Sequence, residues 1–200
     1  QMQAIELYEA MHDQRWRLAN LYMIQDKRGR RVNFVPNDAQ MRYLQGATQS
    51  DIILKARQLG MTALMCILGL DEVLFNNDWR VGIIAHTLGD ANEIFETKVK
   101  FPYESLQDGI KAARPAKNDR AGLLRFTNGS SIRVATSARS GTLQRLHVSE
   151  FGKICAIAPY KAREIVTGAF PAVGHNKKTI ESTAEGQEGY FYQFCDEAQR

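Results

Sequence analysis

Residues 52–75 constrain what this chain can fold into more than any other stretch. Ile52, Ile53 and Leu54 form a short apolar run, the chain then closes a tight loop on Gly60 and Thr62, and a helix is expected over residues 60–75. That helix is apolar almost all round through Leu70, so it must be buried rather than carry one wet face. A buried strand feeding a buried helix through a glycine turn needs protein on both sides, which points to an α/β architecture.

The same loop has the layout of a phosphate-binding loop. Its amides and the helix N-terminus would present N–H groups and a positive dipole end to an anion. The usual pattern is G-x-x-x-x-G-K-[ST]. Here Lys55 stands in place of the first glycine and Met61 in place of the lysine, while Gly60 and Thr62 keep their places. Thr62 stands where a hydroxyl would hold Mg²⁺, Lys55 could reach back to the β- and γ-phosphates from the front of the loop, and Arg57 is a second candidate for that charge. Gln58 and Met61 complete the loop. A surface turn carrying ordinary charges is the alternative for this segment taken alone.

Further strands are expected at 80–86, 123–127, 131–136, 143–148 and 178–183, the second and third flanking Asn128 and Gly129, a two-residue hairpin signal. Helices are expected at 3–24, after Asn37 or Asp38 as cap, at 89–106, at 158–170 and from about residue 188. Residues 26–31 read as a basic turn, either solvated or in contact with a phosphate, and residues 111–120 as a basic connection without apolar periodicity. Strands alternating with helices imply a mostly parallel central sheet with helices on both faces.

Ligands of open α/β sheets bind at the carboxyl ends of the strands. Three segments besides the loop fall there or close by. The strand at 143–148 ends in Ser149 and Glu150; a glutamate at that place can polarise a water as general base, and Ser149 could hydrogen-bond a metal-bound water. Glu181, Ser182, Thr183 and Gly186 end the last strand, where small hydroxyl residues before a glycine suit a loop close to a γ-phosphate. Upstream, Phe34, Pro36 and Gln40 offer an aromatic ring and an amide whose donor and acceptor match an adenine edge. Each segment alone also reads as an ordinary solvated turn or helix face.

Two hundred residues suit one domain with a sizeable core. The net charge of +4 fits a nucleic-acid partner without requiring one. Cys66, Cys155 and Cys195 lack metal-ligand spacing and an even count, so a reducing, intracellular setting is the simpler reading. The N-terminal stretch carries acids early and has no apolar signal-peptide core, and the longest apolar run is too short for a bilayer, so no membrane is expected. The chain opens on Gln and closes inside a helical pattern, as a part of a longer protein would.

In chain order, the segments with Phe34, Pro36 and Gln40, with Lys55 to Thr62, with Ser149 and Glu150, and with Ser182 to Gly186 resemble the ATPase domain of the large terminase subunit, the genome-packaging motor of tailed phages. The resemblance covers residues 33–195. It implies a P-loop NTPase fold of the additional-strand type in residues 33–200, with residues 1–32 as a helical extension and the family's C-terminal nuclease domain outside this chain. It implies ATP and Mg²⁺ as cofactors, with hydrolysis driving double-stranded DNA into a procapsid in the host cytoplasm. Partners would be DNA, further copies in a ring, the small terminase subunit and the portal protein.

By resemblance, Phe34 and Gln40 contact adenine, Lys55 is a front-placed loop lysine, Glu150 is the catalytic base, and Ser182, Thr183 and Gly186 couple hydrolysis to motion. Glu185 departs from the family's usual Asn in that segment. Arg139 is similar in position to an arginine finger reaching a neighbour's γ-phosphate. Lys111, Arg114, Lys117 and Arg120 are DNA-contact candidates on charge alone. A helicase-like DNA translocase is one alternative. A degenerate, non-hydrolysing DNA-binding or assembly module is the other, motivated by Met61 and Ser149.

Overall fold

A computed structural model of the chain describes residues 8–137 and 141–200, and the side chains of all of these except 118–120. Its centre is a seven-stranded sheet in the order β3-β9-β8-β4-β7-β6-β5. The strands are β3 (Ser50–Leu54), β4 (Arg80–Ile84), β5 (Ala116–Arg120), β6 (Leu123–Phe126), β7 (Ser131–Ala135), β8 (Arg145–Val148) and β9 (Lys177–Ser182). The first five in that order are parallel, and β6 and β5 extend the sheet antiparallel. The last strand in sequence, β9, is thus inserted between β3, which leads into the glycine loop, and β8, which ends at Ser149 and Glu150. This is the additional-strand arrangement the sequence led us to expect.

Helices cover both faces. Helix α3 (Met61–Phe75) lies across one face with nearly every side chain buried, as its unbroken apolar composition requires. Gly69 permits the close crossing: a Cβ there would stand 2.8 Å from Val81 Cγ1 of β4. Helix α1 (Gln14–Asn20) and helix α4 (Leu88–Ile94), which runs on through a π-helical segment Phe95–Lys100 into Phe101–Glu104, pack on the same face. On the other face α6 (Phe151–Ile157), α7 (Pro159–Glu164, continued by Ile165–Ala169 and Phe170–Val173) and α8 (Gly189–Gln199) build a second core around Phe151, Ile165 and Phe191. Strand β4 serves both cores, turning Val81 and Ile83 to one and Ile84 to the other, as a strand's twofold alternation dictates.

Three local expectations need correcting. The helix expected over 3–24 is not continuous within the described residues: the Asp13 side chain accepts from the Arg15 N–H and starts α1 anew. Residues from 23 onward instead pair as β1 (Met23–Gln25) with β2 (Arg31–Asn33), because the basic turn between them folds as a hairpin with Asp26 accepting from Arg28 and Arg30. The connection at 111–120 holds the end of α5 (Asp108–Ala113) and the edge strand β5. Helix α6 was not anticipated, and the helix expected from residue 158 begins separately at Pro159.

The N-terminal segment is bonded to the core. Arg17 donates twice to the fully buried Asp71 of α3, at 2.9 and 2.7 Å, and the Tyr22 hydroxyl donates to the same carboxylate at 2.8 Å. A second buried pair closes the amino ends of the parallel strands: Arg145 of β8 donates to both oxygens of Glu72, with Lys177 of β9 at 3.3 Å and the Trp79 indole N–H at 3.2 Å. Among the described residues, no helix is long and apolar enough to cross a membrane.

Candidate active site at the carboxyl ends of β3, β8 and β9

The loop between β3 and α3 holds its shape by two left-handed residues, Gln58 (φ 66°) and Gly60 (φ 70°), the latter forming the N-cap of α3. Left-handed backbone costs a side-chain-bearing residue about 1–2 kcal/mol, which is why glycine stands at the cap. Met61 is buried in the core with 3% exposure, so only its backbone can face a phosphate. Arg57 and Gln58 are exposed, and Gln58 accepts from Lys27 of the β1–β2 turn at 2.6 Å. The basic turn therefore leans on the loop.

Asn37 caps α2 (Asp38–Gly46) in a reciprocal capping box with Gln40. The Gln40 amide oxygen accepts from the Asn37 N–H at 2.9 Å and its nitrogen donates to the Gly60 carbonyl at 2.8 Å. Phe34 is buried in the core beneath. Gln40 thus stands next to the loop as a support of it, and Phe34 belongs to the core.

The parallel register brings three strand ends together. Lys55 Nζ lies 3.0 Å from Glu150 Oε1 and 3.7 Å from Glu181 Oε2. Glu150 is itself left-handed (φ 54°) at the N-cap of α6, a sparsely populated conformation for a residue with a side chain, and its carboxylate meets Lys55 across the end of β9. Glu181, fully buried, accepts from the Thr62 hydroxyl and, at 3.2 Å, from the Ser149 hydroxyl. His147 Nε2 stands 3.2 Å from the same Glu181 oxygen. Burial pushes the Glu181 carboxyl up, but the neighbouring His147, then Lys55 and the Thr62 hydroxyl, outweigh it and hold the group below its ordinary value.

Lys55, Thr62, Ser149 and Glu150 are accordingly brought together, and Glu181 and His147 stand with them. Ser182 is fully buried and its carbonyl accepts from the Lys55 N–H at 3.0 Å; Thr183 donates to Glu185. Gly186 is left-handed at φ 102°. Arg139 lies outside the described residues.

Beside this cluster, at the carboxyl ends of β4 and β8, a cleft of about 220 Å³ is lined by Thr62, Ser149 and Glu150 and, from α4, its π-helical extension and α6, by Asp90, Lys98 and Lys153. Among the described residues no three His, Cys, Asp or Glu side chains converge to hold a metal ion. A cation here would be held by the Thr62 and Ser149 hydroxyls and by oxygens of a bound phosphate. Mg²⁺ suits such a set, since it prefers oxygen and takes few protein ligands beside substrate phosphates.

On the far side of the sheet's antiparallel extension, Arg80, Lys117, Arg125 and Arg133 line a groove of about 710 Å³. All four are exposed. Of the other DNA-contact candidates, Lys111 is bonded to the Glu104 carbonyl and paired with Asp108, Arg114 is bonded to the Leu74 carbonyl, and the Arg120 side chain lies outside the described residues.

No family model and no curated protein matches the chain. Solved structures do. The large terminase ATPase domain of Thermus phage P74-26 superposes with a TM-score of 0.66 at 18% identity, over 80% of this chain and 69% of that one. The large terminase of bacteriophage HK97 gives 0.70 at 13% identity, over 91% of this chain but 40% of its own length. That of the thermophilic bacteriophage D6E gives 0.54 at 17% identity, over 82% and 42%. The chain therefore shares the fold of phage large terminase ATPase domains and spans about two fifths of the two whole terminases.

Proposed function

We propose that this chain is the ATPase domain of a phage large terminase, hydrolysing ATP with Mg²⁺ to drive double-stranded DNA into a procapsid. The observation that carries the reading is the meeting of Lys55 and Thr62, which follow β3, with Ser149 and Glu150, which follow β8, across the end of the intervening β9. Lys55 neutralises the phosphates from the front of the loop, which is compatible with an apolar, buried Met61 at the position more often given to lysine. Thr62 and Ser149 present hydroxyls to the metal, which when bound offsets charge on the β- and γ-oxygens. Glu150 orients and deprotonates the attacking water once Lys55 has left it for a phosphate.

Gln40 holds the loop through the Gly60 carbonyl, and the remaining donor and acceptor capacity of its amide is what would meet adenine; Phe34 serves from the core. Ser182, Thr183 and Gly186 carry the change to the rest of the motor. Arg139 completes the site of a neighbouring copy in a ring. DNA meets the basic groove of Arg80, Lys117, Arg125 and Arg133 through its phosphates. The small terminase subunit, the portal and the host cytoplasm belong to the same reading.

A non-hydrolysing assembly module is the second reading, favoured by the Lys55–Glu150 pair, which occupies both groups with each other. Calorimetric titration of a slowly hydrolysed ATP analogue with Mg²⁺ tests the first: wild type binds and Lys55→Ala does not. Absence of binding by folded wild type would sink it.

A further inference from the structure

Ser149 ends β8 at the place where a carboxylate would commonly stand beside a metal, and a hydroxyl supplies no charge. The adjacent strand does. Glu181 is fully buried, yet its Oε2 has no hydrogen-bond partner, and Lys55 Nζ stands 3.7 Å from that oxygen. Its Oε1 accepts hydrogen bonds from the Thr62 and Ser149 hydroxyls together. An ionised carboxylate only accepts. Both hydroxyls must therefore point their protons inward, which leaves their oxygens as acceptors on the cleft that the two residues line.

We propose that Glu181 is the anion behind the Mg²⁺ platform of this site: it sets the Thr62 and Ser149 hydroxyls as acceptors toward the cleft and supplies from β9 the charge that Ser149 lacks. The inference rests on the nucleotide-binding reading above. Glu181 is a positioning residue, acting through the two hydroxyls. Its burial also couples it to the lysine. A buried carboxylate needs compensating charge, and when Lys55 turns to a phosphate, a divalent cation in front of Thr62 and Ser149 restores it. His147 Nε2 faces the same carboxylate from β8, 3.2 Å from Oε1.

The test reads metal and nucleotide separately on the full chain. Binding of a slowly hydrolysed ATP analogue is measured by calorimetry in chelator and in Mg²⁺, and Mn²⁺ affinity of the nucleotide complex by electron paramagnetic resonance. In Glu181→Gln the Mn²⁺ affinity of the nucleotide complex should fall about tenfold or more, beyond whatever change the analogue's affinity shows in chelator. Adding Ser149→Asp should restore it, since the charge is then delivered from β8; a merely structural role for Glu181 would not be rescued at position 149. Retention of Mn²⁺ affinity within about twofold in Glu181→Gln, or no recovery in the double variant, would overturn the inference alone. Wild type that binds no nucleotide would overturn the reading beneath it as well. Should Glu181→Gln fail to fold, Glu181→Asp keeps the charge and shortens its reach, and an undiminished Mn²⁺ affinity there would be equally fatal.

Discussion

Lys55 Nζ and Glu150 Oε1 are 3.0 Å apart, so the side chain assigned to the phosphate and the one assigned to the water are bonded to each other. Nucleotide entry must break this pair before either can act. Glu150→Gln removes the competitor for Lys55, and nucleotide affinity should rise about two- to fivefold, the scale of a partly exposed ion pair. Phosphate release by the assembled protein should meanwhile fall by about 10²–10⁴. Unchanged turnover would remove Glu150 from the mechanism.

Gly60 is squeezed from two directions. Its φ of 70° disfavours any Cβ, and a Cβ there would lie 2.9 Å from Gln40 Nε2. Gly60→Ala should lower stability by about 1–2 kcal/mol in urea titrations and weaken nucleotide binding. Pairing it with Gln40→Ala should relieve the contact but not the backbone cost, so the two changes will be non-additive.

The buried pair of Glu72 and Arg145 sits at the opposite ends of the strands that carry the site. Burial pushes the Glu72 carboxyl up, but the Arg145 guanidinium, then Lys177 and the Trp79 N–H, hold it below its ordinary value of 4.5. A depressed carboxylate contributes stability above the unfolded pKa and loses it as the pH falls through that value and below. Arg145→Met leaves the charge with Lys177 and Trp79 alone and should cost about 3–5 kcal/mol at neutral pH. The loss measured against wild type should shrink at pH 4, where Glu72 of the variant takes up a proton.

The groove on the antiparallel extension gives a fourth test. Arg125→Ala with Arg133→Ala should weaken duplex binding about equally for all sequences and reduce the slope of log K against log salt by about 1 per lost phosphate contact. Fluorescence anisotropy at several salt concentrations reads both. Variants that bind as wild type does, with an unchanged slope, would move the DNA surface elsewhere.

What was legible in the sequence is local. The strand, loop and buried helix at 50–75 announce themselves by apolar run and glycine, the hairpin by Asn128 and Gly129, and the α2 cap by Asn37. Glu181 was not assigned a role because its partners, Thr62 and Ser149, are 119 and 32 residues away, and only the insertion of β9 between β3 and β8 brings them together. Arg125 and Arg133 stand apart in sequence with no charge run between them, and only strand alternation on β6 and β7 collects them on one face. Helix α6 was hidden by its left-handed start at Glu150.

The last rung between β3 and β9 joins the Lys55 N–H to the Ser182 carbonyl at 3.0 Å. It is a backbone bond, indifferent to which side chains stand there. The two chains part immediately beyond it, one into the loop that would grip a nucleotide and the other into 183–188, which leads to α8. These segments are spliced at a single point, like two ropes leaving one cleat. Whatever pulls on residue 183 tugs the first amide of the loop, and whatever tightens the loop is felt at 183, before any side chain has moved.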